Sequence, residues 1–324
     1  MIIFIIIVVL ILFFIREGIP CIMYHNVSSR FDLSIEEFEK QIKQIRNMNT
    51  YKFEEIEKFN YVVPRNSILL TFDDGYKNNY TKAYPILKKY NKKATIFLNT
   101  AYIGVDEDYL TWDQILEMYS SGLIDFQLHS HSHFSVINKL EIEGFFSSED
   151  FNKKELYREI KNIYGKEPRI GYPIFKRRGE LVVPGYRLTN KFINGCDSFI
   201  DRGTTLTEAI VKEHLLTEIV PYSNEEYKNR VFYEINNNKE IIDKEIGRET
   251  LNFANPWGQK SEELLRYLKI IGIKSMITTK KGTNSRKLDP YKIKRYEANS
   301  IAKFRVLLLI NKSFFLGKIY EILS

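Results

Sequence analysis

The sequence predicts one α/β domain built on a parallel sheet or barrel and interrupted by a large insertion. Three observations predict it. Short apolar runs alternate with stretches of helical periodicity, acidic and histidine residues gather just after two of those runs, and the rhythm breaks between about 140 and 230 before resuming.

The elements follow in chain order. Residues 21–24 form a short apolar strand. Ser34 and Glu37 then form a Ser-x-x-Glu capping box, followed by Ile35, Phe38, Ile42 and Ile45 at helical spacing. A strand at 68–72 is followed by a helix around 84–90, a strand at 94–98, a helix opened by the Thr111/Gln114 box and a strand at 124–128. Residues 140–230 are polar, aromatic and punctuated by Gly and Pro, and no order of elements is read there. Afterwards come a helix ending at Gly247, a strand at 251–254, a helix from Ser261 to Ile271 closed by Gly272, and a strand at 273–278. A final helix near the C-terminus, FRVLLLINKSFFLGKIYEIL, is expected to pack on the sheet.

Composition narrows the function classes. The chain has 324 residues and 44% hydrophobic content, enough for a full core. Its formal charge of +7 comes from scattered Lys and Arg rather than a basic block, which argues only weakly for nucleic acid and is compatible with anionic cell-surface polymers or lipid. Cys21 and Cys196 lack CxxC spacing, so neither a disulfide framework nor a structural zinc site is expected.

The N-terminus departs most from average composition. Residues 2–15, IIFIIIVVLILFFI, are uninterrupted hydrophobics followed by Arg16 and Glu17. As a helix rising ~1.5 Å per residue, the run falls short of a ~30 Å bilayer core. With no small-residue cleavage site before Pro20, residues 1–17 are expected to be an anchor rather than a cleaved signal. Residues 18–324 are then expected to form the folded domain, and the protein is expected at a membrane or in the cell envelope.

Two clusters carry chemistry. TFDDGY, residues 71–76, ends a strand in adjacent carboxylates, and Gly75 permits a sharp turn that lets Asp73 and Asp74 border one pocket. Three of the chain's five histidines lie in HSHSH, residues 129–133, at another strand end. Two imidazoles and one carboxylate can hold Zn²⁺ or another first-row metal while leaving positions open for water and substrate.

TFDDGY, KATIFLNTAYIG, LTWDQILEM, the His129-to-His133 motif and FANPWG at 253–258 together resemble the polysaccharide deacetylases of carbohydrate esterase family four, and IMYHNVS at 22–28 resembles the first strand of that family's surface-polysaccharide branch. The resemblance implies a distorted (β/α)7 barrel, with the insertion after the His-x-x-x-His motif. It also implies a metal-dependent hydrolase that removes N-acetyl groups from a cell-surface or capsular polysaccharide. By the same match, Asp73 is the catalytic base. Asp74, His129 and His133 hold one divalent ion, zinc first with cobalt, nickel or iron as alternatives. His131 falls between ligands. The Trp257 N–H is the oxyanion donor. A metal there would lower the pKa of a water and polarise the acetamide carbonyl while Asp73 takes the proton.

The chain departs from the family pattern in two places. No arginine leads directly into FANPWG, and no late Leu-x-His supplies a general acid. His25 is the candidate acid, with His214 as the fallback. Tyr76 and Pro256 are candidate substrate contacts. Arg177 and Arg178, in YPIFKRRGE at 172–180, either grip an anionic glycan or belong to a solvated loop. The expected partners are a polysaccharide and a membrane, for a monomeric chain that binds no nucleic acid. The alternatives are an amidohydrolase using His129 and His131 as an HxH pair, and a catalytically silent glycan-binding module.

Overall fold

Seven strands of the computed structural model run parallel and curl into the expected barrel, because apolar runs buried on both faces pair most readily with helices covering them. The structure describes residues 17–28 and 33–323, so the apolar stretch at 2–15 lies outside the described residues. The strands in chain order are β1 (Cys21–Tyr24), β2 (Asn49–Thr50), β3 (Ser67–Phe72), β4 (Ala94–Leu98), β5 (Ile124–Leu128), β6 (Ser135–Phe145), β7 (Pro173–Gly179), β8 (Tyr186–Leu188), β9 (Ile219–Pro221), β10 (Asn252–Ala254), β11 (Ser275–Ile277) and β12 (Tyr296–Glu297). The barrel order is β11-β10-β5-β4-β3-β1-β12, with β2 beside β3. A parallel bridge between Ile277 and Ile293, and the Thr278 N–H donating to the Ile293 carbonyl at 2.9 Å, join the chain entering β12 back to β11.

Contacts divide the chain into two units. The first, residues 17–132, 234–259 and 265–323, contains the barrel. Every residue of β1, β3, β4 and β5 is buried. The sequence signals for helix starts operate as expected: the Ser34 hydroxyl accepts from the Glu37 N–H, and Thr111 and Gln114 cap each other reciprocally. Tyr24, Phe38 and Phe72 form a buried aromatic cluster with ring centroids 5.2 to 5.9 Å apart, which fastens the helix Ile35–Gln44 to the sheet. Burial pushes the Cys21 thiol up to about 12, so it is a packing residue and not a nucleophile.

The second unit, residues 133–233 and 260–264, is a four-stranded antiparallel sheet in the order β7-β6-β8-β9 with its own core, which includes Phe146, Tyr164, Tyr172, Phe175 and Phe192. Segment 172–180, which the sequence suggested as a solvated loop, is largely β7. Its Ile174 and Phe175 are buried, and its residues pair with β6 from Ser135↔Gly179 to Phe145↔Pro173. The helix Asn224–Ile246 leads the chain out of this unit. The single C-terminal helix expected from sequence is two helices, Ile301–Ile310 and Phe314–Leu323, separated by a turn at 311–313. Among the described residues, no helix is long and apolar enough to cross a membrane.

Phe72 lies at the end of β3 directly before Asp73, so the aromatic cluster also sets where the carboxylates emerge. Phe72→Ala is expected to lower stability by about 3–5 kcal/mol. The measurement is the urea-unfolding midpoint, and an unchanged midpoint would contradict this packing.

Candidate functional site

The strand ends supply the chemistry. β3 delivers Asp73 and Asp74, β5 delivers His129, β1 delivers His25, and β10 delivers Asn255, Pro256 and Trp257. A turn with Asp74 at φ 73° and Gly75 at φ 82° follows β3. The φ of 82° favours glycine at position 75, and the Cβ it lacks would also sit 2.7 Å from the Leu98 Cδ2 methyl, which would have to shift.

Asp73 and Asp74 have different surroundings. Asp73 is almost wholly buried, and its Oδ1 and Oδ2 accept from Arg295 Nη1 and Nη2 at 2.6 and 2.7 Å. Arg295 enters the barrel one residue before β12 and is fully buried. Its Nε donates to the Thr278 carbonyl at 3.0 Å and its Nη1 also reaches Thr71 Oγ1 at 3.2 Å. Burial opposes ionisation of Asp73, but the Arg295 guanidinium and the neighbouring histidines hold its carboxyl below the usual carboxylate range. Asp74 Oδ1 lies 3.4 Å from His129 Nε2, closer than Asp73 Oδ2 at 3.9 Å.

Asp74, His129 and His133 each offer a ligand atom, all within 4.8 Å of one another. His129 Nδ1 lies 2.9 Å from the Ala254 carbonyl, to which it donates, so Nε2 is the nitrogen turned toward the aspartates, 3.4 Å from Asp74 Oδ1. Burial works against charge on His129, yet Asp73 and Asp74 raise its pKa. One carboxylate and two imidazoles, with one ring already oriented through its other nitrogen, fit a divalent first-row ion. Asn255, fully buried beside Ala254, has no hydrogen-bond partner for either side-chain atom among the described residues, and a buried amide in that state is open to a further polar group.

The loop after β5 is held by residues the sequence did not single out. Asn99 Nδ2 donates to the His129 carbonyl at 2.6 Å, Asn238 Oδ1 accepts from the His129 N–H at 3.1 Å, and Glu234 Oε2 accepts from the Ser132 N–H at 2.8 Å. These bonds support Ser130 at φ 67° and His133 at φ 57°, left-handed values that non-glycine residues rarely adopt. His131 turns aside, its Nδ1 2.9 Å from Thr100 Oγ1, and it is absent from the ligand group. The HxH alternative therefore loses its second ligand.

The remaining predicted residues divide. His25 Nε2 lies 3.9 Å from Asp73 Oδ2, and Asn79 Nδ2 donates to the His25 carbonyl at 2.8 Å from a π-helical turn at Asn79–Ala83. Trp257 is half-exposed with φ 58°, next to buried Pro256. The Tyr76 ring is tilted by 32° against that of Tyr109, with centroids 5.0 Å apart. Arg177, Arg178 and His214 belong to the second unit. Arg177 Nη1 pairs with Glu159 at 3.0 Å, Arg178 stands opposite Val136 in β7, and His214 Nε2 lies 3.8 Å from Glu213. Arg295 is the principal residue that sequence reasoning missed.

The profile of the family described as polysaccharide deacetylase matches residues 60–174. YxkH of Bacillus subtilis is 33% identical over 176 residues, which cover 51% of this chain and 59% of that protein, so the chain spans less than two thirds of that relative. Poly-beta-1,6-N-acetyl-D-glucosamine N-deacetylase of Staphylococcus aureus strain MRSA252 is 30% identical over 212 residues, covering 57% of this chain and 71% of that protein. A de-N-acetylase structure from Aggregatibacter actinomycetemcomitans shares the fold with a TM-score of 0.61 at 17% identity, over 90% of this chain and 100% of that one. With the relative from Staphylococcus aureus matched over more than two thirds of its length, the chain belongs to the polysaccharide deacetylase family.

Proposed function

We propose that the protein hydrolyses N-acetyl groups on a cell-surface polymer of amino sugars, with β-1,6-linked N-acetylglucosamine chains as the substrate class, by analogy with the relative from Staphylococcus aureus. The observation that carries this reading is the separation of the two adjacent aspartates. Asp73 is held ionised by a bidentate guanidinium, while Asp74 belongs to the ligand group with His129 and His133. A single shared role for both carboxylates would give them similar surroundings.

In this reading Asp74, His129 and His133 hold one divalent ion, zinc first. When bound, it supplies a Lewis acid for the acetamide carbonyl and lowers the pKa of water. Asp73 Oδ2 accepts a proton from the attacking water. The Trp257 backbone N–H, in its left-handed conformation, donates to the carbonyl oxygen as negative charge develops there. As the C–N bond breaks, His25 gives a proton to the leaving amine nitrogen, and acetate departs. Its side chain is 44% exposed, which leaves it open to substrate. Tyr76 and Pro256 line the sugar side of the site, and residues 1–17 hold the enzyme at a membrane.

Two expectations test the reading. Asp73→Asn should reduce acetate release from a β-1,6-linked N-acetylglucosamine oligomer by about 10²- to 10⁴-fold. It should keep the metal content of the parent chain, whereas His133→Ala should lose it. Unchanged turnover in Asp73→Asn would contradict its role as the base, and no acetate release from the parent chain would leave only a glycan-binding module. Arg295→Met should destabilise the fold by about 3–5 kcal/mol because it strands a buried carboxylate. Arg295→Met combined with Asp73→Asn should recover part of that loss in urea unfolding, and equal loss in the single and double variants would mean that Arg295 acts through packing alone.

A further inference from the structure

The C-terminal helix Phe314–Leu323 is amphipathic in the wrong sense for a surface exposed to water. Its small and polar residues face the barrel: Gly317 packs against Thr283, the Tyr320 ring lies 6.2 Å from that of Tyr296, and Glu321 pairs with Lys294 and Lys318. Its apolar residues face outward. Leu316, Ile319, Ile322 and Leu323 are exposed, and on the helix Ile301–Ile310 so are Val306 and Leu309, whereas Phe304 and Leu307 are buried on that helix. Spacings of three and four residues place the exposed side chains of each helix along one stripe. A contiguous apolar stripe is where soluble proteins meet a partner or a membrane.

The chain itself indicates the partner. The Gly18 N–H donates to the Asn311 carbonyl at 3.0 Å, so Gly18, two residues after Arg16 and the apolar run at 2–15 in sequence, lies at the turn between these two helices. That run, reaching ~21 Å as a helix, is short for a bilayer span and gains from a second apolar contact beside it. Residues 301–323 carry Lys303, Arg305, Lys312 and Lys318 against one acid, Glu321, which is already paired with Lys294. Apolar side chains with cations among them match a bilayer containing anionic lipid.

We infer that the outer face of the helices Ile301–Ile310 and Phe314–Leu323 rests on an anionic lipid bilayer and forms, with the N-terminal apolar run, a two-part membrane attachment. The inference rests on the reading of residues 1–17 as a membrane anchor. It has a consequence for function. Gly18 precedes β1 at the end away from His25, so attachment there leaves the deacetylation site at the opposite end of that strand, turned toward polymer outside the lipid.

The test uses the full chain with an environment-sensitive fluorophore at Leu316→Cys, Ile322→Cys or, as control, Val105→Cys in the exposed loop after β4; the native Cys21 and Cys196 are buried. Each is mixed with phosphatidylglycerol/phosphatidylcholine vesicles containing nitroxide-labelled lipid, and flotation is scored alongside emission. The expected result is flotation with loss of emission at positions 316 and 322 but not at 105. Flotation with emission at 316 and 322 retained would overturn the proposed face while leaving the N-terminal anchor standing. Absence of flotation would overturn both. A blue-shifted emission at 316 and 322 before vesicles are added would also overturn it, because a second copy or the chain's own N-terminus would then cover the stripe.

Discussion

The buried pair of Arg295 and Asp73 is the constraint on which the site depends. A charged guanidinium inside a barrel is tolerated only when its donors are satisfied, and here the Asp73 carboxylate, Thr71 and the Thr278 carbonyl satisfy them. The pair ties the chain entering β12 to the end of β3, with β1 lying between the two strands. It also commits one of two adjacent carboxylates. With Asp73 occupied by Arg295, Asp74 is left to face the histidines, and the left-handed turn at Asp74 and Gly75 is what allows neighbouring residues to point to different partners.

Around this pair the backbone is held in costly conformations. Asp74, Ser130, His133 and Trp257 all have positive φ, each at a strand end that carries a candidate functional group. Such conformations persist where surrounding bonds over-determine them. Asn99, Asn238 and Glu234 do this for the histidine loop, and they come from β4's end and from a helix far along the chain.

Much of this was legible in the sequence. The apolar runs and capping boxes mark the strands and helices of the barrel because their signals are local, and the aspartates and histidines are conspicuous for being crowded. Arg295 was not legible. It sits in the basic segment KIKRYEAN, where nothing distinguishes it from the solvated Lys and Arg residues, and only the folded sheet carries it to Asp73. β6 was missed although Leu140 and Ile142 alternate with Lys139, Glu141 and Glu143, because its register shifts and its partner β7 lie some thirty residues apart in irregular sequence. The division of the C-terminal helix was missed because Asn311 and Ser313 are weak breakers in an otherwise apolar run.

The claim that the two aspartates have separate tasks is tested most directly by anomalous diffraction at the zinc edge from crystals of the protein grown with zinc. The account predicts one peak in contact with Asp74, His129 Nε2 and His133, with Asp73 still paired to Arg295. A peak coordinated by Asp73, or an Asp73 released from Arg295 to share the ion with Asp74, would contradict it.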